Sequence, residues 1–259
     1  MSDPIGLRPL PSTLFRGQSS TGRLWAGGPA RVLCFPAAGS SCLSFRPLAN
    51  ALAGRVTVLA VEPLERVDPS TALVSMADQL ARDIRPWLTG DVVLLGHSFG
   101  GYLAYEVARR IRCAPAHSQM TLRLVLVGCA APTHAVGLPQ AGDDDALLQS
   151  LTSLGAVPEV LRREPALLRQ YLPAIRADLA TVAAYVHRFR TPGRLPVPTL
   201  AVRGSADPLV PVTAVAGWQQ LCHPAAIRCL SGDHYLPQQA PGPLAAEILR
   251  WAEPVSVAG

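Results

Sequence analysis

Residues 92–101 read Val-Val-Leu-Leu-Gly-His-Ser-Phe-Gly-Gly, an apolar run that leads into a glycine-rich turn around Ser98. A helical pattern follows at once, because Leu103, Val107 and Ile111 recur at intervals of four. A Gly-x-Ser-x-Gly turn between a strand and a helix forms a nucleophile elbow, which lifts the serine hydroxyl clear of the sheet. The sequence therefore predicts Ser98 as a nucleophile, although the same string also occurs by chance in ordinary turns.

Short β-branched runs recur on both sides of this elbow and are almost continuously apolar, as parallel strands covered on both faces are. Six such runs occur, at Val32–Phe35, Val56–Val61, Val92–Leu95, Leu122–Val127, Thr199–Val202 and Ile227–Leu230. Patterns with helical spacing lie between several of them. This alternation predicts an α/β fold with a mostly parallel, doubly wound sheet.

The segment 134–190 breaks the alternation, since it contains no run that looks like a strand. Its leucines follow helical spacing, and Pro165 suits the first turn of a helix. A long helical pattern follows, which we expect Pro173 to kink or split. We predict that residues 1–259 form one domain and that 134–190 is a helical insertion between two strands.

Composition excludes several functions. The chain is 49% hydrophobic and 16% charged, and all 23 of its basic residues are arginine. Without lysine it cannot form a P-loop, a lysine Schiff base or a Ser–Lys dyad. No arginine cluster alternates with aromatic residues, so a nucleic-acid surface is not expected. Most of the net charge of +5 lies in residues 1–66, which could face an acidic protein partner.

Other motifs are absent from the sequence. It contains no Gly-x-Gly, no His-Glu-x-x-His and no Cys-x-x-Cys, so we expect neither a dinucleotide cofactor nor a bound metal. Cys34, Cys129 and Cys229 adjoin apolar runs and are predicted to be buried. No signal peptide is visible, and no apolar run approaches the ~18 residues of a membrane span. We therefore expect a cytoplasmic protein that does not enter the membrane.

A serine nucleophile needs a general base and an acid that orients it. In folds of this kind they follow the serine in the order acid, then histidine, on loops after later strands. His234 comes just after the last predicted strand, within Ser231-Gly232-Asp233-His234, and is predicted as the base. Asp207 follows the strand Thr199–Val202 and is predicted as the acid, although an aspartate before Pro208 is also common in turns.

Competing assignments are weaker. Asp233 adjoins His234, and sequence neighbours rarely orient each other's rings. Asp178 lies in the helical insertion, where we expect it to cap a helix or pair with Arg176. His97 precedes the nucleophile and is expected to point away from it, with a structural role.

Two hydrogen-bond donors are needed for the oxyanion that acyl transfer creates. One is expected to be the backbone N–H of Phe99, directly after the nucleophile. The other is expected from the loop Pro36–Ser41, whose small residues would let the backbone approach a carbonyl oxygen. An ordinary Gly/Ser turn fits this loop as well.

Taken together, the motifs resemble the stand-alone type II thioesterases that accompany polyketide synthases and nonribosomal peptide synthetases. The resemblance rests on Phe35-Pro36-Ala37-Ala38-Gly39-Ser40, Gly96-His97-Ser98-Phe99-Gly100-Gly101, Arg203-Gly204-Ser205-Ala206-Asp207-Pro208 and Gly232-Asp233-His234. The segment Leu172–Asp178, with Tyr185 after it, is similar to the lid helices of that family. The resemblance covers about residues 14 to 250.

This resemblance implies an α/β-hydrolase fold in which 134–190 is a lid. It implies hydrolysis of acyl thioesters on the phosphopantetheine arm of acyl or peptidyl carrier proteins, which removes unproductive acyl groups. Ser98 would be the nucleophile, His234 the base and Asp207 the acid. The backbone amides of Ala38 and Phe99 would hold the oxyanion, and no cofactor would be required.

Two positions depart from the family pattern. Ser40 stands where a second glycine is usual. It could resist a positive φ and reshape the loop Pro36–Ser41, called the oxyanion loop below. Asp233 stands where glycine often precedes the histidine, and its carboxylate could raise the pKa of His234 or face solvent. The same triad could also serve a carboxylester hydrolase or an acyltransferase, and a non-catalytic binding protein on this fold is a third hypothesis.

Overall fold

The computed structural model describes residues 7–9, 30–61, 69–113, 120–134, 143–153, 157 and 163–252. Strands in this part of the chain are β1 (Leu7–Pro9), β2 (Arg31–Phe35), β3 (Thr57–Val61), β4 (Asp91–His97), β5 (Thr121–Val127), β6 (Thr199–Gly204) and β7 (Ala225–Leu230). They form one sheet in the order β1-β3-β2-β4-β5-β6-β7. All neighbours pair in parallel except β1, which runs antiparallel to β3.

Helices flank this sheet. In the described residues they are α1 (Arg46–Ala51), α2 (Pro69–Asp83), α3 (Phe99–Cys113), α4 (Asp144–Ser153), α5 (Pro165–Arg188), α6 (Val212–Ala216), α7 (Trp218–Leu221), α8 (Leu236–Gln239) and α9 (Pro241–Ala252). Two short 3₁₀ helices span Cys42–Phe45 and Arg85–Trp87. No helix of the described residues is both long enough and apolar enough to cross a membrane.

A strand occupies each of the six predicted positions, and the α/β fold class is confirmed. Alternate side chains of the central strands enter separate cores on the two faces of the sheet. In β4, for example, Val92 and Leu94 belong to one core, whereas Val93 and Leu95 belong to the other. This double burial explains why the sequence of the strand is continuously apolar.

The described part of the predicted insertion consists of α4 and α5. These helices share a small apolar cluster of their own, formed by Leu147, Leu151, Val157, Leu168 and Leu172. Pro165 begins α5, as predicted. Pro173 lies inside α5, which continues for 24 residues, so the predicted split is wrong. Residues 135–142, 154–156 and 158–162 of the predicted insertion lie outside the described residues.

Two of the three cysteine predictions are confirmed. Cys34 and Cys129 are buried, but Cys229 is exposed. The reason is topological, because Cys229 lies in β7 at the edge of the sheet, where the strand is only partly covered. An apolar run at an edge strand resembles a central one in sequence but has fewer neighbours in the fold.

Candidate active site

Ser98 is the single residue between the end of β4 and the start of α3. Its φ is 52°, and within the described residues it is the only non-glycine residue with a positive φ. The Ser98 backbone N–H donates a hydrogen bond to the carbonyl of Val127 at 2.9 Å, which ties the turn to the end of β5. A strained serine in this context is the geometry of a nucleophile elbow.

Glycines make this tight turn possible. A Cβ atom at Gly96 would lie 2.2 Å from the carbonyl oxygen of Gly100. A Cβ atom at Gly100 would lie 2.0 Å from the carbonyl oxygen of Phe35, at the end of β2. The backbones of two strands and a helix therefore meet at van der Waals contact directly beneath Ser98.

The structure brings the predicted acid and base together. Asp207 follows β6, His234 follows β7, and His234 Nδ1 lies 3.0 Å from Asp207 Oδ2. Both side chains are buried. The other carboxylate oxygen, Oδ1, accepts the backbone N–H groups of Leu209 at 2.9 Å and Val210 at 3.2 Å.

These contacts set the charge of Asp207. Burial alone would raise the pKa of its carboxyl group, but the hydrogen bonds from His234 and from the two backbone N–H groups outweigh burial, so the pKa lies below its ordinary value. The carboxylate is ionised at neutral pH and accepts the Nδ1–H of His234. That tautomer leaves Nε2 of the imidazole with a free lone pair.

Ser98 and His234 line the same cavity. Gly128 lies close to both residues. It directly follows Val127, whose carbonyl accepts the Ser98 N–H. A Cβ atom placed there would lie 3.2 Å from Nδ1 and Cε1 of the His234 ring. Among the described residues no hydrogen bond joins the Ser98 hydroxyl to His234, and such bonds are often long until substrate is bound.

His97 contacts both the backbone and the ring of His234, the predicted base. Its Nε2 donates a hydrogen bond to the backbone carbonyl of His234 at 2.8 Å, and the two rings lie 5.2 Å apart. Burial, followed by the proximity of His234, lowers the pKa of His97 to about 3, so this imidazole is neutral. The sequence predicts a structural role for His97 but does not reveal this contact between the end of β4 and the loop after β7.

The two predicted oxyanion donors lie on the same cavity as Ser98. Phe99 is the first residue of α3, so its N–H has no partner within the helix. In the loop after β2, the N–H of Gly39 donates to Asp178 Oδ2 at 2.8 Å and that of Ser40 donates to the Ala37 carbonyl at 3.0 Å. The N–H of Ala38 is bound by no acceptor among the described residues.

The structure places both positions that depart from the family pattern. Gly39 carries the positive φ of the loop, at 66°, whereas Ser40 does not, so the loop adopts this conformation at a glycine. The Asp233 carboxylate accepts the backbone N–H of Tyr235 and the side-chain amide of Gln239, both at 2.7 Å. It therefore belongs to the turn that carries His234.

A cavity of about 270 Å³ lies above Ser98. One wall is the elbow and the oxyanion loop, and the opposite wall is largely α5. The apolar residues that α5 contributes are Leu168, Tyr171, Ile175, Leu179 and Val182. Cys129 also lines the cavity, and burial raises the pKa of its thiol, so it is protonated at neutral pH. No group of three metal-binding side chains occurs in the regions that the structure describes.

Asp178 is a site residue that sequence analysis missed. The expectation was a helix cap or a pair with Arg176, and the structure adds a contact that this expectation did not include, because it buries Asp178 against the oxyanion loop. The signal lay in its position, because it falls between the cavity-lining residues Ile175 and Val182 on the apolar face of α5. A carboxylate on such a face is buried and needs a partner.

Comparison with known proteins agrees with this geometry. Residues 30–251 match the thioesterase domain family. The chain is 30% identical over 213 residues to thioesterase PikA5 of Streptomyces venezuelae, an alignment that covers 79% of this chain and 74% of that protein.

Two solved structures have the same fold. The RedJ thioesterase from the prodiginine pathway of Streptomyces coelicolor is 26% identical, with a TM-score of 0.73 over 89% of this chain and 88% of that one. The type II thioesterase BorB from the borrelidin biosynthetic cluster is 27% identical, with a TM-score of 0.74 over 90% of this chain and 100% of that one. The chain therefore belongs to the thioesterase family and is a thioester hydrolase with an α/β-hydrolase fold.

Proposed function

We propose that this thioesterase releases acyl groups from the phosphopantetheine arm of acyl or peptidyl carrier proteins, and so removes stalled chains during polyketide or nonribosomal peptide assembly. The observation that carries the catalytic part is the buried His234–Asp207 pair, which shares one apolar cavity with the strained Ser98. The choice of substrate is supported by the relatives, which include a type II thioesterase from a biosynthetic cluster.

Acylation begins at Ser98. As its Oγ attacks the thioester carbonyl carbon, Nε2 of His234 takes the hydroxyl proton, and ionised Asp207 stabilises the resulting imidazolium. The carbonyl oxygen becomes an oxyanion, which accepts hydrogen bonds from the N–H groups of Phe99 and Ala38. Donors that are already fixed need no reorganisation when this charge develops.

Collapse of the intermediate breaks the C–S bond. The pantetheine sulfur leaves with the proton from His234, and the acyl group remains on Ser98 as an ester. Water then attacks this ester while His234 removes one of its protons, and the second tetrahedral intermediate uses the same two donors. Its collapse releases the carboxylic acid and returns the proton to the Ser98 oxygen.

We further propose that residues 1–259 form one α/β-hydrolase domain in which 134–190 acts as the lid. The support comes from α5, whose apolar face forms a wall of the cavity and would contact the acyl chain. Tyr171 lines this cavity while 41% of it remains exposed, which marks a point where the cavity meets solvent. Apolar walls of this kind exclude water from the reacting ester.

The carrier protein would be the macromolecular partner, and a cytoplasmic location stays a prediction from the sequence. The basic excess of residues 1–66 fits the acidic partner that we envisage. Residues 1–6, 10–29 and 62–66 of that stretch lie outside the described residues.

Paired substrates test this function. An acyl group is presented as a thioester on a carrier protein and on pantetheine, and as an oxygen ester of equal length, with and without an alcohol acceptor. We expect hydrolysis of the carrier-bound thioester to be fastest. Ser98→Ala should reduce it at least about a thousandfold, while Ser153→Ala, at an exposed serine that ends α4, should not.

Preference for the oxygen ester would instead indicate a carboxylester hydrolase. Transfer to the alcohol in place of hydrolysis would indicate an acyltransferase. Near-parental turnover by a folded Ser98→Ala variant would refute the serine mechanism itself.

A further inference from the structure

The oxyanion loop is held by a residue of the lid helix. Asp178 lies in α5, is 1% exposed, and accepts the backbone N–H of Gly39 at 2.8 Å through its Oδ2. The two residues are 139 positions apart in the chain. This hydrogen bond therefore links α5 directly to the loop.

A second contact fits the same two elements together. Gly39 has a φ of 66°, and a Cβ atom built there would lie 2.3 Å from Cγ1 of Ile175. Ile175 precedes Asp178 by three residues and so lies on the same face of α5. The helix therefore packs directly on the loop backbone, and this packing needs the absence of a side chain at Gly39.

These contacts determine which amide of the loop faces the substrate. The N–H of Gly39 is occupied by Asp178, and that of Ser40 is occupied within the loop. Because the peptide unit between Ala38 and Gly39 is planar, fixing the direction of the Gly39 N–H also fixes the C-terminal side of Ala38. The Ala38 N–H is thus the free donor of a loop whose orientation is set from the lid.

We propose that Asp178 is a positioning residue for the oxyanion hole, which holds the Ala38 donor in place through Gly39 while α5 covers the cavity. The inference rests on the proposed serine mechanism, because an oxyanion forms only there. In this proposal α5 both lines the cavity and orients the oxyanion loop, since the face that carries Asp178 also carries residues that line the cavity.

The test compares variants that differ in the acceptor offered to Gly39. Asp178→Ala and Asp178→Ser both remove the acceptor, since the serine side chain is too short to place its hydroxyl oxygen where Oδ2 lies. Asp178→Asn keeps an uncharged oxygen of the same reach. Asp145→Ala is the matched control, because it breaks an exposed ion pair between α4 and α5, Asp145 with Arg169, away from the loop.

Three quantities are measured for each folded variant: kcat and KM on an acyl-pantetheine thioester, the inhibition constant of an alkylboronic acid, and the affinity of an unreactive thioether analogue. A boronic acid bound to Ser98 mimics the tetrahedral intermediate and uses the oxyanion donors, whereas the thioether reports ground-state binding.

For Ala and Ser at position 178 we expect kcat to fall about 10- to 100-fold, somewhat less than the loss of a whole donor. Boronate affinity should fall by a similar factor, while KM and thioether affinity change less than about threefold. For Asp178→Asn we expect kcat and boronate affinity to stay within about threefold of the wild-type values. Asp145→Ala should give the wild-type values.

The serine variant decides if the alanine variant does not fold. A folded Ala or Ser variant with wild-type kcat overturns the proposal. A loss of kcat without a parallel loss of boronate affinity also overturns the proposal. A defect in the oxyanion hole must weaken binding of a compound that mimics the tetrahedral intermediate, whereas a merely structural defect need not. If the wild type itself does not hydrolyse the thioester, the proposed function fails instead, and the two failures are thereby distinguished.

Discussion

Ser98 occupies a backbone conformation that costs a residue with a side chain about 1 to 3 kcal/mol, at a φ of 52°. The cost is offset by the surroundings, since its N–H is bound by Val127 and its flanking glycines allow close packing of strand and helix. What the strain achieves is exposure of a hydroxyl at the end of a buried strand. The same logic applies to His234, whose ring is oriented by Asp207 and whose backbone is held by His97.

His97 makes the stability of the protein depend on pH. The pKa of this buried imidazole is about 3 in the folded protein, against an ordinary value of 6.5. As the pH falls below 6.5 the unfolded chain gains a proton that the folded chain does not, so the free energy of unfolding decreases by up to about 1.4 kcal/mol per pH unit. His97→Gln, whose amide can still donate to the His234 carbonyl, should lose this contribution.

Urea unfolding between pH 5 and 6.5 measures the difference between the two proteins. Asp207 does not interfere, because its pKa lies below 3.8 and its contribution is lost only at lower pH. The histidines that do not contact His97 are common to both proteins and cancel in the comparison. Equal slopes for the wild type and His97→Gln would show that His97 is not buried in its neutral form.

Helix α5 illustrates how one element combines packing with function. Some of its residues pack on α4 in a small apolar cluster and some line the cavity above Ser98, and Leu168 does both. Asp178 on the same helix binds the oxyanion loop. Its proline is tolerated in the middle of the helix, although it provides no N–H for the helical ladder.

The cluster between α4 and α5 should form a unit that opens by itself. Leu172 is fully buried in it, so Leu172→Ala should cost about 2 to 5 kcal/mol locally. We expect hydrogen exchange to accelerate in Asp144–Ser153 and Pro165–Arg188 but not in β4 or β5. Leu167→Ala, at a position of α5 that is 38% exposed, is the control. Equal acceleration throughout the sheet would contradict the interpretation of this segment as a lid.

At the level of the whole molecule, much of the fold follows from local pattern. The six parallel strands could be predicted because each carries a continuous apolar run between helical patterns. The residues at the ends of β4, β6 and β7 could then be predicted to meet, since the carboxyl ends of parallel strands share one edge of the sheet. This pattern predicts from the sequence alone that Asp207 and His234 lie close together.

Other features depend on contacts that no local pattern encodes. Strand β1 has only three residues and exists through its antiparallel pairing with β3, about fifty positions away. Cys229 is exposed because its strand lies at the edge of the sheet, which depends on strand order. The hydrogen bond between Asp178 and Gly39 joins α5 to a loop 139 positions earlier in the chain, so the local sequence pattern did not reveal this contact.

Trapping the acyl-enzyme tests directly whether Ser98 is the nucleophile. Wild-type protein is mixed with an acyl-pantetheine thioester, quenched in acid within milliseconds, digested and analysed by mass spectrometry. We expect a mass increase that corresponds to the acyl group on the peptide that contains Ser98, and we expect it to disappear as hydrolysis proceeds and to be absent from Ser98→Ala. An acyl group that turns over on another side chain, such as the cavity-lining Cys129, with Ser98 unmodified, would contradict it.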